Sequence, residues 1–301
     1  MTMQNLENGD IDQTNINIEA NQPKKHDRKR LRKWLSREDP VVIMTHMNVD
    51  ADAAFSAALL HTLRPHATIV FAPADHSPQD GGTIAIDMSN GPRAVKGLEQ
   101  GSAFGLIVNV LKDIDNGVHH ALKKWAAQLD LTDSAKACND RVVLADMVRS
   151  WSLAGLDDYS IVERAGELLL GKIRGCKKSK ESFERAKNVP IQNGIAILKP
   201  GMNTSAKNLF RLGALAVVRE SKIGMAINLS PRAQRVGLHL GELSGNLPPN
   251  WFIHECGFLA CYGSNKAPKN PANSGLKLAE LVKVVQNWLV GHEKSGQLKI
   301  K

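Results

Sequence analysis

His46, Asp50 and Asp52 place one imidazole and two carboxylates within residues 46–52, inside the stretch VVIMTHMNVDADAAFSAALL that runs from Val41 to Leu60. Like charges within a few ångströms raise each other's pKa, so such a group in a folded interior calls for a compensating cation. Oxygen-rich donors with one imidazole suit a hard divalent ion of the magnesium or manganese kind. A second reading competes with the first. An aspartate after a strand also caps a helix, and Asp50 or Asp52 alone could accept the first free backbone N–H groups of the helix that follows. Capping needs no histidine and no second carboxylate, but one capping aspartate is common; both readings stand at this point.

The elements that must position these side chains are legible around them. Val41 to Met44 is a short run of the kind found in strands buried on both faces, and Ala53 to Leu63 has the small and apolar spacing of a helix packed against it. Open α/β sheets collect their ligands at the carboxyl ends of such strands. The expected fold is therefore α/β, with an N-terminal parallel sheet.

The pattern His-x-x-x-Asp-x-Asp-Ala over His46, Asp50, Asp52 and Ala53, with Asn48 inside it, resembles the first motif of the DHH phosphoesterase superfamily. That resemblance implies an α/β domain with a manganese-type histidine and carboxylate site, followed by a smaller α/β domain that holds the substrate. The later segments follow in the family's order. Thr83 to Ser89 is a strand ending in Asp87, and Gly101 to Leu111 resembles the Ser-Ala helix that follows the family's Asp-His-His. In one alignment Asp87, Met88 and Ser89 occupy the Asp-His-His position, both histidines are missing, and Asp75, after the strand Ala67 to Ala74, is the preceding aspartate. In the rival alignment Asp87 is itself that earlier aspartate. QLDLTDS from Gln128 to Ser134 then puts Asp133 at the fourth motif. The pair His119 and His120 opens a stretch of helical spacing and is left outside the site.

On this reading the implied metal ligands are His46, Asp50, Asp52, Asp87 and Asp133, with Asp75 as an additional candidate, and they hold Mn2+ or Mg2+. His46, Asp50, Asp52 and Asp87 form the implied catalytic set. Loss of the histidine pair leaves ligands for one octahedral ion and few for a second.

Asp157 to Gly171 reads as a helix. Lys172 to Lys187 is charged and poor in apolar residues, which suits an interdomain linker or an exposed helix. Beyond it the spacing predicts a strand over Ile195 to Leu198, a helix over Ser205 to Val218 and a strand over Ile223 to Leu229. This second unit resembles the DHH-associated substrate domain, with departures. Ser230 and Arg232 follow a strand, and His254 precedes Gly257, but Asn250, Trp251, Phe252 and Ile253 stand where the family has a glycine run. Glycines let backbone N–H groups approach a phosphate, so their loss alters that cradle. Ser230, Arg232, His254 and Lys266 are the implied substrate-binding residues. A lone histidine on an apolar strand is just as often a core residue. The expected boundaries are a disordered, basic segment over 1–35, a metal-binding domain over 36–171, a linker over 172–190 and a substrate domain over 191–301.

Composition supports a two-domain chain. The 301 residues are 43% hydrophobic, enough for two cores. No apolar run approaches a bilayer span, the N-terminus lacks a secretory pattern, and four scattered cysteines carry no zinc or disulfide spacing; a cytoplasmic protein is expected. A net charge of +9 favours an anionic partner, a nucleotide or single-stranded nucleic acid, with a homodimer as one possible assembly and no membrane. KKHDRKRLRK, from Lys24 to Lys33, concentrates that charge; it either touches nucleic acid or forms a solvated helix docked through Leu31, Trp34 and Leu35. The function these expectations favour is divalent-metal-dependent hydrolysis of a phosphodiester or phosphoanhydride. The alternative is a catalytically dead module that binds nucleic acid or nucleotide without cutting it.

Overall fold

A computed structural model of the chain describes residues 26–38, 41–78, 80–88, 94–97, 101–136, 138 and 143–296. It divides between Arg174 and Gly175 into two compact units. Residues 1–25 of the segment expected to be disordered lie outside the described residues, but its end does not remain so. Helix α1 spans His26–Leu35, with Leu31 and Trp34 buried, because the apolar residues recur three and four apart and so share one face. Trp34 donates to the Gly82 carbonyl at 3.0 Å, and Arg30 to the Ala94 carbonyl at 2.7 Å. The docked-helix alternative is thus the one the chain adopts.

The first unit is built on a four-stranded parallel sheet. Strand β1 (Val42–His46) leads into helix α2 (Ala51–Leu63), followed by β2 (Thr68–Ala72), β3 (Thr83–Ile86) and β4 (Ala94–Val95). Their order across the sheet is β2-β1-β3-β4, and every pairing is parallel. Helices α3 (Ala103–Ile114), α4 (Asn116–Asp133), α5 (Leu144–Leu153) and α6 (Asp158–Ala186) complete it, α6 crossing the unit boundary. Alanines along α2 let it lie close to β1 and α3, where Phe55 meets Phe104 and Trp125 edge-on at centroid distances of 6.0 and 5.9 Å. The segment 172–190, assigned to a linker, is helical through Ala186. Its lysines, arginines and glutamates are good helix formers, and pairs such as Glu181 with Arg185 lie one turn apart.

The second unit holds a six-stranded sheet ordered β5-β6-β7-β8-β10-β9. In chain order its elements are β5 (Ile191–Gln192), β6 (Ile195–Leu198), α7 (Ala206–Arg211), β7 (Ala216–Ser221), β8 (Gly224–Leu229), α8 (Pro231–Arg235), β9 (Phe252–Ile253), β10 (Leu259–Tyr262) and α9 (Leu278–Lys294). Only β6 and β7 pair in parallel; the other neighbours are antiparallel. The helix predicted over Ser205 to Val218 stops at Arg211. Gly213, at φ +105°, turns the chain out of the helix, and the β-branched pair Val217 and Val218 enters β7. No helix among the described residues is long and apolar enough to cross a membrane.

Because Leu31 is fully buried, Leu31→Ala is expected to destabilise the first unit by about 2–4 kcal/mol, read from the midpoint of urea denaturation. Lys33→Ala, on the exposed face of α1, serves as the comparison and is expected to change stability by less than about 0.5 kcal/mol.

Candidate metal centre

The parallel register gathers the chemistry at one edge of the first sheet. Met44 pairs with Ala85 across β1 and β3, so continuing that offset sets His46 beside Asp87 just past the strand ends. The His46 Nε2 atom lies 3.4 Å from Asp87 Oδ2 and 4.0 Å from Asp50 Oδ1. One ligand atom from each of His46, Asp50 and Asp87 falls within 4.8 Å of the others. Donors around an octahedral ion with bonds of about 2.1 Å stand about 3.0 Å apart when adjacent and about 4.2 Å apart when opposite. The 3.4 and 4.0 Å separations fall within that range, the 4.8 Å limit of the group lies beyond it, and the nitrogen and oxygen donors are of the kind that magnesium or manganese accepts.

Backbone geometry aims these side chains. Asn48 and Asp87 both adopt left-handed conformations, at φ 55° and 54°, a region that Asn and Asp tolerate better than other L-residues. Asp50 Oδ1 accepts the Ala53 N–H at 3.0 Å, so it caps α2 while standing in the three-residue group. The capping role weighed for this aspartate is the one its hydrogen bond displays. The Asp87 hydrogen bond holds the His46 imidazolium, against the opposing effect of burial and with help from the Met47 carbonyl and the Asp50 and Asp87 charges, at a pKa of about 9.

Asp52 is differently employed. It is 4% exposed, and its two oxygens accept the Ala103 and Phe104 N–H groups of α3 at 2.7 and 2.8 Å, with the Ser56 hydroxyl at 3.2 Å. The positive end of the α3 dipole faces this carboxylate. Burial, and then the nearby Asp87 charge, nevertheless push its pKa well above the usual carboxylate range. At the end of α4, burial and the charges of Asp87, Asp50 and Asp130 push Asp133 up to about 6, with Lys96 acting in the opposite sense. Asp133 is exposed and, like Asp52, is not one of the three grouped residues. Asp75 is exposed after β2 and is not one of the three grouped residues.

Two contributors escaped the sequence reading. Asp158, at the start of α6, accepts the Asn48 and Val49 N–H groups at 2.9 Å each, clasping the turn between His46 and Asp50 from 110 residues away. Lys96 follows β4, whose register with β3 pairs Ile86 with Val95 and so brings residue 96 beside Asp87. Lys96 carried no local signal, because a two-residue strand has no periodicity. Asp158 offered none, because an aspartate opening a helix is ordinary.

In the second unit, Ser230 is 2% exposed and its hydroxyl accepts the Ala233 N–H at 3.1 Å, capping α8. Arg232 and Lys266 are exposed. His254 is part-buried; its Nδ1 accepts the Cys256 N–H at 3.1 Å, and its ring lies 4.3 Å from that of Phe258. His119 is also part-buried and bonds the Val108 carbonyl at 2.8 Å, which accounts for it structurally.

Asp158→Ala is expected to weaken Mn2+ binding about tenfold or more, measured by the electron paramagnetic resonance of free Mn2+, because two loop N–H groups lose their acceptor. A divalent ion and the His46 proton compete for one nitrogen. Mn2+ affinity is therefore expected to rise by up to about tenfold per pH unit between pH 7 and about 9, then level off. In metal-free protein the sign is reversed for folding: His46 contributes stability that is fully present below its unfolded pKa of 6.5 and lost as pH rises through about 9, read as a falling thermal midpoint.

No protein-family model and no curated protein matches the sequence. Several solved structures do. RecJ of Thermus thermophilus, crystallised with Mg2+, is 12% identical with a TM-score of 0.28, over 90% of this chain and 53% of that one, so the chain spans about half the length of RecJ. A pGpG-specific phosphodiesterase, PggH, from a Vibrio is 12% identical with a TM-score of 0.30, over 84% of this chain and 99% of that one. An exopolyphosphatase-related protein from Bacteroides fragilis is 12% identical with a TM-score of 0.27, over 90% and 97%. The motif over residues 46–53 stands at the end of an inner strand of a parallel sheet, and a second sheet-bearing unit follows it in the chain.

Proposed function

We propose that this chain is a divergent DHH phosphoesterase that uses a divalent ion, Mn2+ or Mg2+, to hydrolyse a phosphodiester or phosphoanhydride in a nucleotide or short single-stranded nucleic acid. The convergence of His46, Asp50 and Asp87 within 4.8 Å carries the reading. Those three residues hold the ion, with Asp52 and Asp133 behind them. When bound, the ion supplies a Lewis acid that draws charge from a phosphoryl oxygen and acidifies a water molecule.

The chain's own groups do the rest. Asp87 stands between the imidazole and the cluster and keeps His46 oriented through the 3.4 Å contact. Its carboxylate and that of Asp133 are the acceptors for the proton that an attacking water must lose; Asp133, at about 6, sits near the pKa a general base needs at neutral pH. Asp52 is bonded to the first two amides of α3 and fixes that helix end against α2. Arg232, His254 and Lys266 are the second unit's groups with chemistry for an anionic substrate. Ser230, already engaged as a cap, supports α8. A cytoplasmic location and a nucleic-acid partner belong to the same proposal.

A second reading has a specific observation behind it. Met88 and Ser89, not histidines, directly follow Asp87 in the sequence, and the turn at His254 is closed by its own hydrogen bond to Cys256. A module with these features would bind phosphate-bearing ligands without cutting them. Purified protein with Mn2+ is tested in turn on an aryl phosphodiester, a dinucleotide and a short single strand. Turnover that falls at least about a hundredfold in Asp87→Ala is the expected result. Salt-sensitive binding with no turnover under either metal assigns the chain to the binding module, and neither binding nor turnover overturns both readings.

A further inference from the structure

Lys96 sits where an acidic cluster needs positive charge. The first sheet presents three adjacent strand ends on one edge: His46 closes β1, Asp87 follows β3, and Lys96 follows β4. Register aligns them, since Met44 pairs with Ala85 and Ile86 with Val95, and the Asp87 N–H donates to the Val95 carbonyl at 3.0 Å. Neighbouring strands lie about 4.8 Å apart, so residues 46 and 96 are separated by about 10 Å with Asp87 between them. A lysine stem of about 6 Å spans most of that distance.

The backbone around Lys96 is shaped to keep it there. Gly97 has φ +68°, and a Cβ on it would lie 1.8 Å from the Ser102 carbonyl, so the chain turns from β4 directly under the first residues of α3. The Gly101 N–H closes that turn on the Gly97 carbonyl at 2.9 Å. Lys96 itself is part-buried, and its charge acts on Asp133. The strand that precedes the Ser-Ala helix is therefore β4, which Lys96 follows, and Asp87 follows the strand before it, β3.

We infer that the Lys96 ammonium is a built-in monovalent cation of the acidic centre, which limits the centre to one divalent ion and serves as a binding group for the substrate's phosphate. This rests on the proposed metal site at His46, Asp50 and Asp87. A fixed positive charge has opposite effects on the two kinds of ligand: it repels a second metal ion and weakens the first, and it attracts an anion. A residue that merely packs the strand end has no reason to produce that pair of opposite signs.

The test compares Lys96→Met and Lys96→Gln, two uncharged side chains of similar length, with Lys96→Arg, which keeps the charge. Mn2+ alone is titrated and followed by electron paramagnetic resonance. Inorganic phosphate is titrated onto the Mg2+-loaded protein and followed by 31P line shape. Wild type is expected to bind one Mn2+ per chain. The two uncharged variants are expected to bind Mn2+ about three- to thirtyfold more tightly and phosphate more weakly by a similar factor, while Lys96→Arg stays within about threefold of wild type on both. Unchanged affinities in whichever uncharged variant folds, shifts of the same sign for both ligands, or two Mn2+ ions per wild-type chain overturn the inference. If wild type binds no Mn2+, the metal-site reading fails by itself. Phosphate titrated onto the metal-free proteins then decides: weakening in the uncharged variants keeps the role of Lys96 as an anion-binding group, and no weakening ends it.

Discussion

Negative charge gathered at the ends of parallel strands has to be answered, and the first unit answers it in three chemically distinct ways. Asp87 is met by the His46 imidazolium and Asp52 by two backbone amides at the start of α3, while the charge of Lys96, beyond β4, only partly offsets the carboxylates around Asp133. Each answer suits its depth. The deeply buried Asp52 receives fixed dipoles, which need no ion of their own to be desolvated; the half-exposed groups receive charges that can exchange with a ligand. Under the proposed function, a divalent ion would take the place of the proton at His46.

The same constraint explains the local backbone. His46 and Asp50 flank a turn with a left-handed residue, and Asp87 is left-handed itself, so neither strand end would hold its side chain in place without outside support. Asp158 supplies that support for the turn by accepting the Asn48 and Val49 N–H groups, and the Thr45 hydroxyl ties β1 to the Ile86 carbonyl at 3.0 Å beneath the site. The Ser102 hydroxyl does the equivalent for α3, donating to Asp130 while accepting the Gly105 N–H at 2.9 Å. A Cβ at Gly105 would stand 2.0 Å from an Asp130 oxygen, so this glycine exists for the close approach of a carboxylate.

How far the sequence could be read follows from the range of each interaction. His46, Asp50 and Asp52 were legible because strand, cap and helix are contiguous, and local spacing alone fixes their proximity. Asp87 was legible as a strand end. The two-residue strand β4 was not, since so short a run has no periodicity, and with it went Lys96 and the means to choose between the two alignments. Asp158 acts across 110 residues, a separation over which no pattern speaks. For the long α6 the charged stretch from Lys172 to Lys187 left a linker and an exposed helix both open, and the helix is what forms, because that composition carries no signal beyond paired charges.

In the second unit, the residues that resemble a substrate-binding set are largely occupied with making the fold. Ser230 caps α8, and His254 closes its own turn against Cys256. Gly257 could be taken for the remnant of a phosphate cradle, but a Cβ there would lie 2.2 Å from the His239 ring, whose Nε2 bonds the Glu255 carbonyl at 2.9 Å while its Nδ1 accepts the Gly241 N–H. That glycine makes room for an imidazole that braces the turn, and it presents no row of free amides to an anion. The turn is braced and aromatic, with Phe252 exposed beside it. Under the proposed function, phosphate recognition by this unit would fall to discrete cations such as Arg232 and Lys266, acting as charges rather than as a shaped nest.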